Sequence, residues 1–161
     1  MYNIVLIEPE IPNNTGNIGR TCVGLGARLH LVGPLGFSID DKQVRRAGLD
    51  YWEKLNLIYH RSKKEWLNSL RPEDRVHLIE TGGDRTIYDV KFEPGDHLVF
   101  GRETTGIPKD ILGAFPGRIC SIPFPGEIRS FNVSNCVAVV ACEAMRQNRP
   151  TLFADTSGIK Y

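Results

Sequence analysis

Six short runs rich in apolar and β-branched residues, separated by stretches of helical period, constrain the fold more than any other feature of this chain. They are NIVLIE (3 to 8), RLHLVG (28 to 33), LNLIYH (55 to 60), RVHLIET (75 to 81), HLVFG (97 to 101) and RICSIP (118 to 123). Strands that alternate with helices need crossover connections, so the spacing predicts an α/β fold: a mainly parallel sheet with helices on both faces. Ile18, Cys22 and Leu25 recur at i, i+4 and i+7 and predict a helix over 15 to 25. Further helices are expected from near Asp40 to before Gly48, in SKKEWLNSL from a serine N-cap, and in PKDILGAF with Pro108 at the first helical position. The last helix, 132 to 147, carries Val133, Cys136, Val137, Val139, Val140, Ala141 and Ala144 and has almost no polar face. Either a second subunit covers it, which predicts a homodimer, or it is a central helix flanked by the sheet and the other helices.

A chain of 161 residues that is 41% hydrophobic can bury one core. One domain over 1 to 161 is expected, ending in a tail at 149 to 161. The net charge of +1 provides no broad field for nucleic acid, so any RNA surface must be a local patch. The chain runs directly into YNIVLIE without a basic or hydrophobic leader, and its longest apolar run, CVAVVAC (136 to 142), is far too short to span a bilayer. A cytoplasmic protein without a membrane partner is expected, and the sequons at Asn13 and Asn132 are then coincidental. Cys22, Cys120, Cys136 and Cys142 form no C-x-x-C pair, and the four histidines form no H-x-x-x-H pair. No metal and no disulfide are expected, and the cysteines read as small core residues.

Three stretches carry chemistry. In EIPNNTGNIGR (10 to 20) a strand gives way to prolines, asparagines and glycines before a helix. A helix N-terminus among small residues offers unpaired N–H groups and a positive dipole end, hence an anion site, with Arg20 in reach. LVFGRETTGIP (98 to 108) and SIPFPGEIRSFNVSN (121 to 135) each lead from a strand into a glycine- or proline-containing loop. Loops after strand ends make the crevice in which open α/β sheets bind ligands. The only near match to a dinucleotide fingerprint, GLGARL from Gly24, lacks the third glycine and follows a helix, and no P-loop is present.

Together, NNTGNIGR, FGRETTGIP and IPFPGEIRSFNVSN resemble the three ordered motifs of the SPOUT-class (SpoU-like) RNA 2′-O-methyltransferases. NIVLIEPEIPNNTGNIGRTC, followed by DDKQVRRAGLDYW, is similar to the minimal TrmL-type subfamily that methylates the wobble nucleotide, position 34, of certain tRNAs. The resemblance runs from about residue 2 to 147. It implies a C-terminal deep trefoil knot, a homodimer through helix 132 to 147, and S-adenosyl-L-methionine as methyl donor without a metal. By motif, Ile79, Gly101, Glu103, Ile122 and Ser130 would hold the cofactor, with Gly101 allowing a close approach of backbone. Asn14 and Arg20 would receive the nucleotide, and Arg20 and Asn132 would serve the transfer. The chain departs from the pattern at Phe131, where relatives commonly carry Leu or Met.

A ribose 2′-hydroxyl is a poor nucleophile, so the site must align it with the methyl group and assist loss of its proton. Arginine stays protonated, so Arg20 reads as a phosphate grip and stabiliser of the developing alkoxide, with Asn132 on the ribose. The first turn after the opening strand is then expected to face outward, towards the nucleotide. Lys42, Arg45 and Arg46 share a helical face suited to tRNA phosphates, while the Arg61, Lys63 and Lys64 cluster is left unassigned. Two rival readings use the same motifs: a ribosomal RNA methyltransferase of this class, and a knotted RNA-binding protein without catalysis. Replacement of Arg20, Gly101 or Asn132 would favour the latter, and all three are present.

Overall fold

A computed structural model describes residues 1–38, 49–128 and 130–149. The helix expected near Asp40, with Lys42, Arg45 and Arg46, and the tail from 150 onward lie outside the described residues. All six expected strands form: β1 (Asn3–Ile7), β2 (Arg28–Val32), β3 (Leu57–His60), β4 (Val76–Ile79), β5 (His97–Phe100) and β6 (Ile119–Cys120). They make one sheet in the order β3-β2-β1-β5-β4-β6, and every pairing is parallel. The order turns back between β1 and β5, so loops after the strand ends there diverge and leave a crevice.

Both faces of the sheet are covered, which is why β1 reads as an unbroken apolar run rather than an alternating one. Ile4 and Leu6 point into one core cluster, closed by Ile18 and Cys22 of α1 (Pro12–Leu25) and by Val137, Val140, Ala141 and Ala144 of α4 (Val133–Gln147). Val5 and Ile7 point into the other, closed by Trp66 of α2 (Lys63–Ser69) and Ile111 of α3 (Lys109–Ala114). Ser62 caps α2 as expected, accepting from the Glu65 N–H. Pro108 stands one position earlier than expected, at the N-cap of α3.

Helix α4 resolves the choice over its apolar surface largely within the protomer. Val137, Val140, Ala141 and Ala144 are buried against the chain's own sheet and α1, so most of its apolar positions need no second subunit. Its outward positions are Asn135, Val139, Cys142 and Arg146, of which only Val139 and Cys142 are apolar. The cysteines divide in the same way: Cys22 and Cys120 are core residues, whereas Cys136 is half-buried and Cys142 exposed.

The C-terminal part of the chain is inserted rather than laid alongside. On one side of residues 118–121, the Leu78 and Glu80 N–H groups donate to the Arg118 and Cys120 carbonyls; on the other, Ile87 N–H donates to Ser121 O and Ser121 N–H to Arg85 O. Beyond it, the Tyr2 hydroxyl donates to Ala144 O and the Asn148 amide donates to Tyr2 and Phe92 O, tying α4 back to the first strand. Among the described residues no helix is long and apolar enough to cross a membrane.

Candidate active site

Helix α1 starts earlier than its apolar period predicts, at Pro12, and its N-cap residue is Ile11, which offers no side-chain cap. The missing acceptor comes from the loop after β5. Glu103 accepts hydrogen bonds from the Glu10 N–H (2.8 Å), the Ile11 N–H (3.2 Å) and the Asn14 side-chain amide (3.1 Å). The anion expected at this helix end is therefore the chain's own carboxylate, seated at the positive end of the dipole.

The outward-facing first turn is corrected by the same contacts. Asn14, Thr15, Gly16, Ile18 and Gly19 are buried, because the small residues let other segments pack closely. A Cβ on Gly19 would stand 3.2 Å from Leu55 and 3.3 Å from Trp52, which come from the 3-10 helix Leu49–Lys54 and the residue after it. Asn14 turns inward, giving its amide hydrogen to Glu103 and accepting from the Asn132 amide at 2.9 Å. Asn132 is the N-cap of α4, and its oxygen accepts from the Ser134 N–H and hydroxyl. One polar chain thus links the β5 loop, the start of α1 and the start of α4.

Gly101 is required by the packing of its own loop. A Cβ there would lie 2.1 Å from the Gly106 carbonyl carbon and 2.2 Å from the Ile107 nitrogen, so the close approach is by the chain itself. The loop closes through paired bonds between Arg102 and Gly106, with Gly106 at a φ of +71°. Glu80, at the end of β4, holds the same loop by accepting from the Ile107 N–H at 2.7 Å.

These loops line a chamber of about 670 Å³, open to solvent on one side, at the carboxyl ends of β1, β4, β5 and β6. All five cofactor candidates line it, Ile79, Gly101, Glu103, Ile122 and Ser130, as do Asn14 and Asn132. Ile79 and Ile122 are nearly buried apolar walls, while Ser130 is exposed at the mouth. Arg20 is not brought to the chamber: it is exposed on α1, with its guanidinium 4.9 Å from the centre of the Tyr51 ring. The unassigned basic cluster does not act as one patch, since Lys63 pairs with Asp110 at 2.8 Å and Glu8 at 3.6 Å, while Arg61 and Lys64 are exposed.

The Glu8–Arg102 pair escaped sequence reasoning. Glu8, at the end of β1, is buried with a φ of +53° and accepts from the Arg102 Nε at 2.9 Å and from its Nη2. The pair spans the β1 and β5 loops beside the chamber, and the only local signal was a charge within two residues of each strand end.

The chain matches the SpoU rRNA Methylase family over residues 1–142. It is 51% identical over 150 residues to the tRNA (cytidine(34)-2′-O)-methyltransferase of Polaromonas sp. strain JS666, covering 92% of each chain. A solved structure concerned with "the 2-OH methylation of C/U34 on tRNA" superposes with a TM-score of 0.89 at 42% identity, covering 92% of this chain and 97% of that one. The fold also matches, at a TM-score of 0.83 and 23% identity, the SpoU methyltransferase AviRb of Streptomyces viridochromogenes in complex with AdoMet, over 91% of this chain and 57% of that one. With the three motifs converging on one chamber and a family match over most of its length, this chain belongs to the SpoU rRNA methylase family.

Proposed function

We propose that the chain transfers a methyl group from S-adenosyl-L-methionine to the ribose 2′-hydroxyl of the wobble nucleotide, C34 or U34, of certain tRNAs, leaving S-adenosyl-L-homocysteine. The observation that carries this reading is the convergence of Ile79, Gly101, Glu103, Ile122, Ser130, Asn14 and Asn132 on one chamber. The C34 assignment draws on the Polaromonas relative, which shares half of its residues and nearly its whole length with this chain. That similarity favours tRNA over ribosomal RNA.

The chamber fits the cofactor in size and chemistry: its volume suits a ligand of that class, and its lining mixes apolar side chains such as Ile79 and Ile122 with polar ones such as Ser130 and Asn132, as a ligand with an aromatic base and a charged amino-acid end requires. Ile79 and Ile122 would flank the adenine, and peptide groups of the 101–106 loop would meet its edge. When bound, S-adenosylmethionine supplies a methyl group activated by a sulfonium. Glu103 lines the chamber with its carboxylate committed to α1, so it acts as a positioning residue for the loop. Asn132, at the mouth, would orient the ribose. Arg20 would hold the adjacent phosphate and stabilise the developing alkoxide, because a guanidinium does not give up its proton.

Arg20 lies off the chamber wall of its own protomer, which supports a site completed by a second copy. We therefore read the protein as a homodimer, with the outward stripe of α4 at the interface. The insertion of residues 118–121 between β4 and the 85–87 segment supports a trefoil knot. We further read a single cytoplasmic domain that contacts tRNA phosphates through Lys42, Arg45 and Arg46. Mass spectrometry of tRNA nucleosides from cells with and without the protein tests the assignment. Loss of 2′-O-methylation at position 34 is expected, and an unchanged position 34 would overturn it.

A further inference from the structure

Phe131 stands between Ser130 and Asn132 on the chamber wall and is 40% exposed. Its ring meets Phe124 edge to face, with centroids 4.6 Å apart and planes at 88°. Its own carbonyl accepts from the Cys136 thiol at 3.7 Å. Phe124 is half-buried and Phe100, the other aromatic on the wall, is buried, so Phe131 is the exposed ring at this mouth among the described residues. An edge-to-face partner fixes the orientation of a ring and covers at most one of its two faces.

We propose that Phe131 is the stacking platform for the base of the nucleotide whose ribose is methylated. The inference rests on the function proposed above and extends it to the base. The acceptor oxygen is on C2′, and the base is attached to the adjacent C1′. A ribose held at Asn132 therefore carries its base to within one residue's reach of the chamber mouth, where Phe131 presents an apolar surface. Unstacked RNA bases are commonly received on aromatic side chains, and stacking tolerates different bases because each has a π-face. A platform of this kind accepts cytosine and uracil alike. Discrimination between them then lies outside this contact.

The test uses full-length tRNA with pyrrolocytidine at the wobble position, the intact protein and S-adenosylhomocysteine. Wild type should quench the probe. Phe131→Leu, which keeps an apolar contact with Phe124, should relieve the quench and weaken tRNA binding by about fivefold to 150-fold. Its kcat/KM for tRNA should fall much more than its kcat, while Phe131→Trp should keep the quench. Calorimetry should give the same S-adenosylhomocysteine affinity for all three proteins. Unchanged quenching in Phe131→Leu would overturn the proposal. A matching loss of S-adenosylhomocysteine affinity would assign the ring to the cofactor instead, and dissociation of the dimer would assign it to a second copy. Failure of the wild type to methylate position 34 would strike the functional reading itself, and is distinguished by activity on unmodified tRNA.

Discussion

Glu103 and Asn14, 89 residues apart in the chain, are joined at 3.1 Å, and the same carboxylate receives two backbone N–H groups where α1 begins. A loop that lines the chamber is thereby fastened to a helix on the other side of it. Glu103→Ala should leave those donors unpaired and remove a charge from the positive helix end, lowering stability by about 1–3 kcal/mol. Thermal unfolding should register a clear fall in Tm, with Glu103→Gln intermediate because it keeps an acceptor. S-adenosylhomocysteine affinity should fall with it, since the 101–106 loop loses its anchor. A Glu103→Ala protein as stable as wild type would show that the contact is not structural.

Arg20 and Asn132 should separate in their effects on stability. Arg20 is exposed and touches Tyr51, so Arg20→Ala should cost no more than about 1 kcal/mol while methyl transfer is abolished. Asn132→Ala removes the α4 cap and the bond to Asn14, at about 1 kcal/mol for the cap, and should also abolish transfer. Both variants should retain S-adenosylmethionine binding by calorimetry. Lost cofactor affinity in Arg20→Ala would mean that this residue serves the cofactor and not the nucleotide.

Two neighbouring valines distinguish folding from assembly. Val140 is 0% exposed inside the protomer, so Val140→Glu should unfold the chain rather than split a dimer. Val139 is 37% exposed on the outward stripe, and Val139→Glu should keep the fold while disrupting association. Circular dichroism and sedimentation velocity on the two variants check this. A Val139→Glu protein with wild-type association would remove α4 from the interface.

Acid should destabilise the protein through a buried histidine cluster on the α2 and α3 face of the sheet. His30 lies 3.0 Å from His60, ring nitrogen to ring nitrogen, and its ring centroid is 5.4 Å from that of His97. Burial pushes His30 down to about 3, with the neighbouring His97, His60 and Arg28 adding to the effect, and burial likewise lowers His60 and His97. The unfolded chain takes up protons near pH 6.5 that the folded chain refuses. The stability is therefore complete above that pH and falls as the pH drops from 6.5 towards 3. At pH 5 the loss from His30 alone should be about 2 kcal/mol. Urea unfolding at pH 7.5 and pH 5 measures it, and His30→Gln should flatten the dependence.

Binding to tRNA should weaken steeply with salt despite the net charge of +1. Each phosphate contact should contribute about −0.7 to −0.9 to the slope of log K against log salt. The Lys42, Arg45 and Arg46 triple alanine variant should flatten that slope. An unchanged slope would move the RNA surface elsewhere, with the exposed Arg61 and Lys64 next in line.

The strands were legible because their signal is local: NIVLI carries its apolar, largely β-branched character in four consecutive residues, Ile4 to Ile7, and Ser62 caps α2 three residues from its donor. The motif residues were legible as a set, and the chamber gathers seven of them. Their physical roles were not. Gly101 looked like an accommodation for a ligand, but its close neighbour is Gly106, placed there by the turn of the loop. Asn14 looked outward because the small and polar residues of that first turn pack poorly by themselves; its partners, Glu103 and Asn132, arrive from 89 and 118 residues away. The side of α4 that turns inward is likewise not written in an apolar run, since Val139 and Val140 differ only in which of them faces the sheet. Local propensity and periodicity determined which segments become strands and helices. Only tertiary structure could decide which groups meet, because hydrogen bonds and close packing act between atoms a few ångströms apart, whatever their distance along the chain.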